Sequence, residues 1–170
     1  MQPYIPYAWQ KKGQTQRIFA RNKSNRLNVF GIMSLSGHLT VYHSEKALDG
    51  QFIKDSLNDF CKKESNKPRV IVMDNGPIHH AKIVKDCFDD WENQAMSIFF
   101  LPTYSPHLNP IEMLWKFCKY KWLHKTHYKT WSTLKKAILN IFKNYGILYT
   151  ICFKDLITKN TKEYITFNFA

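Results

Sequence analysis

The sequence has no acidic residue before Glu45. Any chemistry that needs a carboxylate must draw it from further along the chain. Arginine is scarce as well. Arg17, Arg21, Arg26 and Arg69 are the only four, so lysine carries most of the positive charge. No run of eighteen apolar residues occurs, and no membrane span is predicted. The opening MQPYIPYAWQKKG lacks the basic-then-apolar layout of a secretory signal. It enters directly on an aromatic-rich segment with no cap or leading element, which reads as a chain that lost its front. The four cysteines, Cys61, Cys87, Cys118 and Cys152, show no Cys-x-x-Cys or Cys-x4-His spacing. That excludes the usual zinc patterns and a disulfide framework. Each sits in an apolar or helical context, where free cysteine behaves as a small hydrophobe. A reduced, cytoplasmic setting is expected.

What is present is a strong positive excess. The formal net charge is +12 and the isoelectric point about 9.6. Such a balance favours a polyanionic partner, most commonly nucleic acid. A chain rich in Lys, Asn and Ile also follows from an AT-rich genome, so charge alone leaves a merely soluble surface open. The 170 residues, 44% of them hydrophobic, suit one domain with an ordinary core.

Apolar patterning predicts the elements. Leu27 to Ser34 reads as a buried strand, Ser36-Gly37 as a turn, and His38 to His43 as the hairpin partner. Ala47 to Lys62 repeats Leu48, Phe52, Ile53, Leu57 and Phe60 at helical spacing. Arg69 to Met73 is a short β-branched strand, followed by the turn composition Asp74-Asn75-Gly76-Pro77. Ile78 to Asn93 reads as a helix with Ile83, Val84, Cys87, Phe88 and Trp91 on one face. Met96 to Leu101 is another strand. Strand, helix, strand at this spacing predicts a parallel βαβ unit. Ile111 to Leu123 and Ser132 to Tyr145 are amphipathic helices, with Gly146 ending the second. A short helix is expected around Lys154 to Ile157. Residues 1–145 are expected to form the main domain and 146–170 a tail. A hairpin followed by βα units predicts an α/β fold, a mixed sheet with helices on both faces.

Two carboxylates stand out. Asp74 ends a parallel strand, where ligands gather in open α/β sheets. An oxygen donor there suits a hard cation such as Mg²⁺. Asp-Asn-Gly is equally ordinary turn chemistry. Glu112 opens a helix behind Asn109 and Pro110, a pattern close to a capping box. It lies off the apolar stripe of Ile111, Leu114, Trp115 and Cys118. It shares its face with Lys116 and Lys119, which suit phosphate contacts. His79, His80 and His107 are near both carboxylates in sequence, as acids, bases, DNA contacts or plain surface residues. From Trp115 to Lys136, lysines interleave with Tyr120, Trp122, Tyr128 and Trp131, a composition suited to a nucleic-acid face. The tryptophans there fit a helical core as well.

The conjunction of two blocks resembles a known family. Strand–Asp74-Asn-Gly-Pro-x-His-x-Ala is followed by strand–Leu101-Pro-x-Tyr-Ser-Pro-x-Leu-Asn-Pro-Ile-Glu112-x-x-Trp. Together they resemble the mariner-type DDE transposases of bacterial insertion sequences. The likeness extends less sharply back to Trp9, Gly13 and the Arg21–Gly31 segment. It implies a ribonuclease-H-like, five-stranded mixed sheet. It implies DNA cleavage and strand transfer at transposon ends, with two Mg²⁺ or Mn²⁺ ions. It assigns Asp74 and Glu112 as catalytic metal ligands. Lys116, Lys119, His107 and Asn109 are the expected DNA contacts. Expected partners are DNA and a second copy or a full-length transposase, with no membrane, in a nucleoid-associated setting in the bacterial cytoplasm.

The resemblance also exposes a departure. The family's first Asp lies on an opening strand ahead of the segment that begins here at Gln2. Glu45, Asp49, Asp55 and Asp59 fall too late in the order to replace it. The first, central strand is therefore expected to be missing, and the chain to be weakly active or inactive. Its two neighbours would be left with unpaired backbone groups. Gln14 to Ala20 is the candidate to fill that gap; otherwise the sheet should split. A non-catalytic DNA-binding or regulatory module is the alternative function, and a decayed reading frame with no stable product is a third.

Overall fold

In a computed structural model, which describes residues 12–13, 25–34, 36–63, 65, 67–103, 105, 108–151 and 167–169, the first regular element is a hairpin. Strand β1 (Asn28–Ser34) turns at Gly37 into β2 (Leu39–Ser44). Gly37 has φ +89°, a left-handed conformation that glycine adopts without Cβ strain. The strands pair antiparallel from Asn28–Ser44 to Met33–Leu39. Both lie within one residue of the spans expected from the alternation.

Helix α1 (Gly50–Cys61) starts where Asp49 accepts a 2.8 Å bond from the Phe52 N–H. That bond satisfies one of the free amides of the first turn. Strands β3 (Arg69–Met73) and β4 (Met96–Phe100) pair parallel, Arg69 opposite Met96 through Met73 opposite Phe100. The expected parallel unit is therefore present.

The segment joining them differs from expectation. The single helix over 78–93 is instead a 3-10 turn at Pro77–His80, then α2 (Lys82–Lys85) and α3 (Phe88–Asn93). Ala81 breaks it, with an extended ψ of 138°. The start of α1 lies against this break. A Cβ added at Gly50 would sit 2.7 Å from the Ala81 Cβ and 2.9 Å from Ile83 Cγ2. The kink thus lets two chain segments approach more closely than a continuous helix would. Val84, Cys87 and Trp91 are buried as expected, whereas Ile83 is exposed.

Helix α4 (Ile111–Phe117) runs into one wide turn at Cys118–Trp122, where the Leu123 N–H reaches back five residues to the Cys118 carbonyl at 3.0 Å. Helix α5 (Trp131–Lys143) is capped by Thr130, whose hydroxyl accepts from the Thr133 N–H at 3.1 Å. No helix among the described residues is long and apolar enough to cross a membrane.

The centre of the sheet is filled from the other end of the chain, and the alternative of a split sheet is corrected. Residues Phe167–Phe169, within the segment expected to be a tail, form β5. The strands form one sheet in the order β2-β1-β5-β3-β4. β5 runs antiparallel to β1 and parallel to β3. The sheet is not split, because β5 pairs with Met33 and Ser34 of β1 and with Val70, Ile71 and Val72 of β3. Gln14 to Ala20 and the helix expected at 154–157 lie outside the described residues.

Side chains alternate across this sheet as the pleat requires. Phe30, Ile32, Ile71, Met73 and Met96 are buried with Ile53, Leu57 and Trp91 beneath α1, α2 and α3. Met33 is buried on the opposite face with Ile111, Leu114, Ile138 and Ile141 of α4 and α5. Gly31 is the closest point of that second contact. A Cβ there would lie 2.8 Å from Ile111 Cδ1 and 3.2 Å from Trp115 Cη2. Gly31→Val should therefore destabilise the fold by about 1–3 kcal/mol through overpacking. Urea denaturation followed by tryptophan fluorescence would measure it, and an unchanged midpoint would contradict the contact.

Candidate active site

Strand β3 ends in the buried Met73, and the next residue, Asp74, emerges beyond the carboxyl end of the strand with 57% of its side chain exposed. Its Oδ1 accepts a 3.0 Å bond from the Gly76 N–H, so the turn chemistry read from the sequence is real. It does not use up the carboxylate. Gly76 allows the chain to close around it, since a Cβ there would lie 3.0 Å from Asp74 Oδ1.

His79 stands beside Asp74, with Nε2 3.4 Å from Oδ1 and only 13% of the side chain exposed. Burial lowers its pKa below the usual histidine value; the Asp74 carboxylate opposes that shift, and His80 adds to it. Asn75 makes two bonds of a different kind. Its amide donates to the Leu101 carbonyl, and its Oδ1 accepts from His80 Nε2 at 2.7 Å. The His80 ring stacks on Phe100 with centroids 4.2 Å apart. Asn75 and His80 therefore tie the end of β3 to the end of β4. The sequence leaves both histidines open as acids, bases, DNA contacts or plain surface residues. The role of His80 depends on its stacking on Phe100 and, through Asn75, on Leu101, twenty-six positions from Asn75 in sequence.

From Leu101 the chain leads to α4. Asn109 is 4% exposed, and its Oδ1 accepts from the Ile111 N–H at 3.3 Å. Its backbone carbonyl accepts from the Glu112 N–H at 3.1 Å. The helix begins at Ile111, where the apolar patterning puts it, so Glu112 is its second residue. Asn109 spends its oxygens on holding this start, and its burial leaves little surface for a DNA strand. Ile111 and Leu114 are buried, Glu112 is partly exposed and Lys116 is exposed. Lys119 is partly exposed, with its ammonium 5.3 Å from the Tyr120 ring centre. His107 lies outside the described residues.

Asp74 and Glu112 line the same open cavity of about 440 Å³, together with Asn75, Pro102, Thr103 and Asn109. Two carboxylates facing one solvent-filled space are hard oxygen donors. They fit one Mg²⁺-type cation, which is commonly held by one or two carboxylates and keeps several waters. No cluster of three or more His, Cys, Asp or Glu suited to a metal occurs among the described residues. The donor set therefore fits a single ion better than a pair.

The family of proteins described as DDE superfamily endonuclease matches residues 1–135 of the 170. The chain belongs to that family. One solved structure, a chain of the Mos1 strand transfer complex, is similar in fold, with a TM-score of 0.50 and 20% identity. The likeness covers 84% of this chain and 43% of that one, so this DDE superfamily chain spans less than half the length of its structural relative. At that identity the likeness establishes the mixed α/β fold alone. Comparison with curated proteins gives no match. DDE superfamily enzymes generally use divalent metal ions, which agrees with the oxygen donors facing this cavity.

Two tests bear on the geometry. Asn75→Ala should cost about 1–3 kcal/mol, because it leaves the part-buried Leu101 carbonyl without its donor. Chemical denaturation would measure the loss. His79 supplies a pH dependence. Its folded pKa lies below the ordinary 6.5, so the unfolded chain binds the proton more readily. The associated stability is present above pH 6.5 and is lost as pH falls towards the lower folded value. Between pH 7.5 and 5, the urea midpoint of the wild type should drop further than that of His79→Gln. Parallel curves for the two proteins would refute the assignment.

Proposed function

We propose that the chain is the catalytic region of a mariner-type transposase with a ribonuclease-H-like fold, acting on DNA at the ends of an insertion sequence. The observation that carries this reading is the shared cavity of Asp74 and Glu112, which thirty-seven residues separate in sequence. Family membership and the fold likeness to a strand transfer complex support it.

The residues divide the work by position. Asp74 at the strand end and Glu112 on α4 would hold Mg²⁺ or Mn²⁺ in the cavity they both line. A bound ion would lower the pKa of an attacking water and stabilise charge on a phosphoryl oxygen. His79 and the Gly76 amide fix the Asp74 carboxylate at Oδ1. Lys116, one turn beyond Glu112, faces solvent and would contact the phosphate backbone, with Lys119 beside it. The +12 net charge draws DNA to the whole surface. The setting fits a bacterial nucleoid, with a second copy or a longer transposase as partner.

With two carboxylates at the cavity among the described residues, cleavage should be weak. The same observation favours a second reading, in which the chain binds DNA and regulates an intact transposase without cutting. The two separate on metal binding. In the first, Mn²⁺ titrated into the full chain binds at the cavity, and Asp74→Asn or Glu112→Gln weakens it by about tenfold or more. Slow Mn²⁺-dependent nicking of plasmid DNA then disappears in both variants. Salt-sensitive DNA binding with no measurable Mn²⁺ binding would reject the first reading and support the second.

A further inference from the structure

The fold sorts the aromatic residues that interleave with lysines after α4. Trp122, Tyr128 and Trp131 pack against the core beneath α4 and α5. Tyr120 does not, and stands 47% exposed. It follows Lys116 by four positions, as Lys116 follows Glu112, so the three form a row on the solvent side. In a straight α-helix such a row drifts by about 40° at each step. The wide turn at Cys118–Trp122 winds less per residue and takes up part of that drift. It also returns Leu123 to the buried side beneath Cys118, the two being 7% and 3% exposed. Ammonium groups flank the exposed ring. Lys119 Nζ lies 5.3 Å from the Tyr120 ring centre, and Lys121 Nζ lies 4.5 Å from that of Phe117.

We propose that Tyr120 stacks on an unpaired base of the DNA strand that enters the Asp74–Glu112 cavity. This rests on the reading of that cavity as a site for DNA, and it adds the form of the substrate. An exposed aromatic face set among lysines suits single-stranded nucleic acid, because the ring takes any base while the ammonium groups track the phosphates. Eight residues of helix put Tyr120 about 12 Å along the axis from Glu112. A stacked strand covers that length in about three or four nucleotides, at ~3.4 Å each. Lys116, between the two, meets an intervening phosphate. An intact duplex keeps its bases inside the stack, out of reach of a side chain on the surface. The row therefore selects a strand that is unpaired or frayed a few nucleotides from the phosphate at the cavity.

The test measures binding of the full chain to a labelled single-stranded oligonucleotide and to its duplex by fluorescence anisotropy. EDTA is present, so the cavity contributes no metal bridge. Tyr120→Ala should weaken the single strand on the order of tenfold and leave the duplex almost unchanged. Tyr120→Phe keeps the ring and should bind both forms as the wild type does. Lys116→Ala should weaken both forms and reduce the salt slope by about one. An equal loss on both forms in Tyr120→Ala, no loss on either, or no single-strand binding by the wild type would overturn the proposal. If Tyr120→Ala fails to fold, photocross-linking of the wild type to an iodouracil-substituted single strand decides. The adduct should map to Tyr120, and adducts confined to other residues would overturn the stacking. Failure of Mn²⁺ to bind at Asp74 and Glu112 would reject the catalytic reading and leave these metal-free outcomes as they stand.

Discussion

The two halves of the sheet, the β1–β2 hairpin and the parallel β3–β4 pair, are joined among the described strands only through the backbone of β5. The hairpin carries Phe30, Ile32 and Met33 into the two cores, and β3 carries Ile71 and Met73. Without hydrogen bonds across the middle, each half would present buried N–H and C=O groups with no partner, at a cost comparable to lost hydrogen bonds. The helices reinforce the joint from either side. α1 packs over both halves on one face, and α4 lies across β1 on the other. The position of Asp74 on one half and the support of Glu112 from the other make the candidate site a product of this joint.

The site itself is built from short-range fixings on a long-range scaffold. The Gly76 amide and His79 hold Asp74 locally, within five residues of sequence. Asn75 and His80 then lock that turn to the end of β4, and the Leu101 N–H returns a 2.8 Å bond to the Met73 carbonyl. Asn109 fixes the first turn of α4 in the same way. The Asp74 carboxylate is thus set by bonds to its own neighbours, and the backbone of Glu112 by the first turn of α4. Their mutual placement is set by how the strands and α4 pack.

Much of this was legible beforehand, for physical reasons that differ by element. The hairpin, α1, β3, β4 and α5 follow from period-two or helical patterning, which reports burial directly. Asp74 and Glu112 were legible because the blocks around them are distinctive. The break at Ala81 was not, since the apolar repeat continues through it and only the contact with Gly50 reveals the need for a kink. β5 was hidden for another reason. Three residues are too few to display a period, and their partners lie roughly a hundred positions away. The tie between Asn75 and Leu101 is of the same non-local kind.

Gly31 gives the candidate site a dependence that no list of cavity-lining residues would reveal. Its missing side chain lets Ile111 and Trp115 rest almost on the strand, and Ile111 immediately precedes Glu112. The height of the acidic residue above the sheet is therefore gauged by a hydrogen atom on β1. Descendants of this chain that vary the cavity walls can keep the spacing of the two carboxylates. Descendants that enlarge residue 31 change the spacing while leaving every residue of the cavity in place.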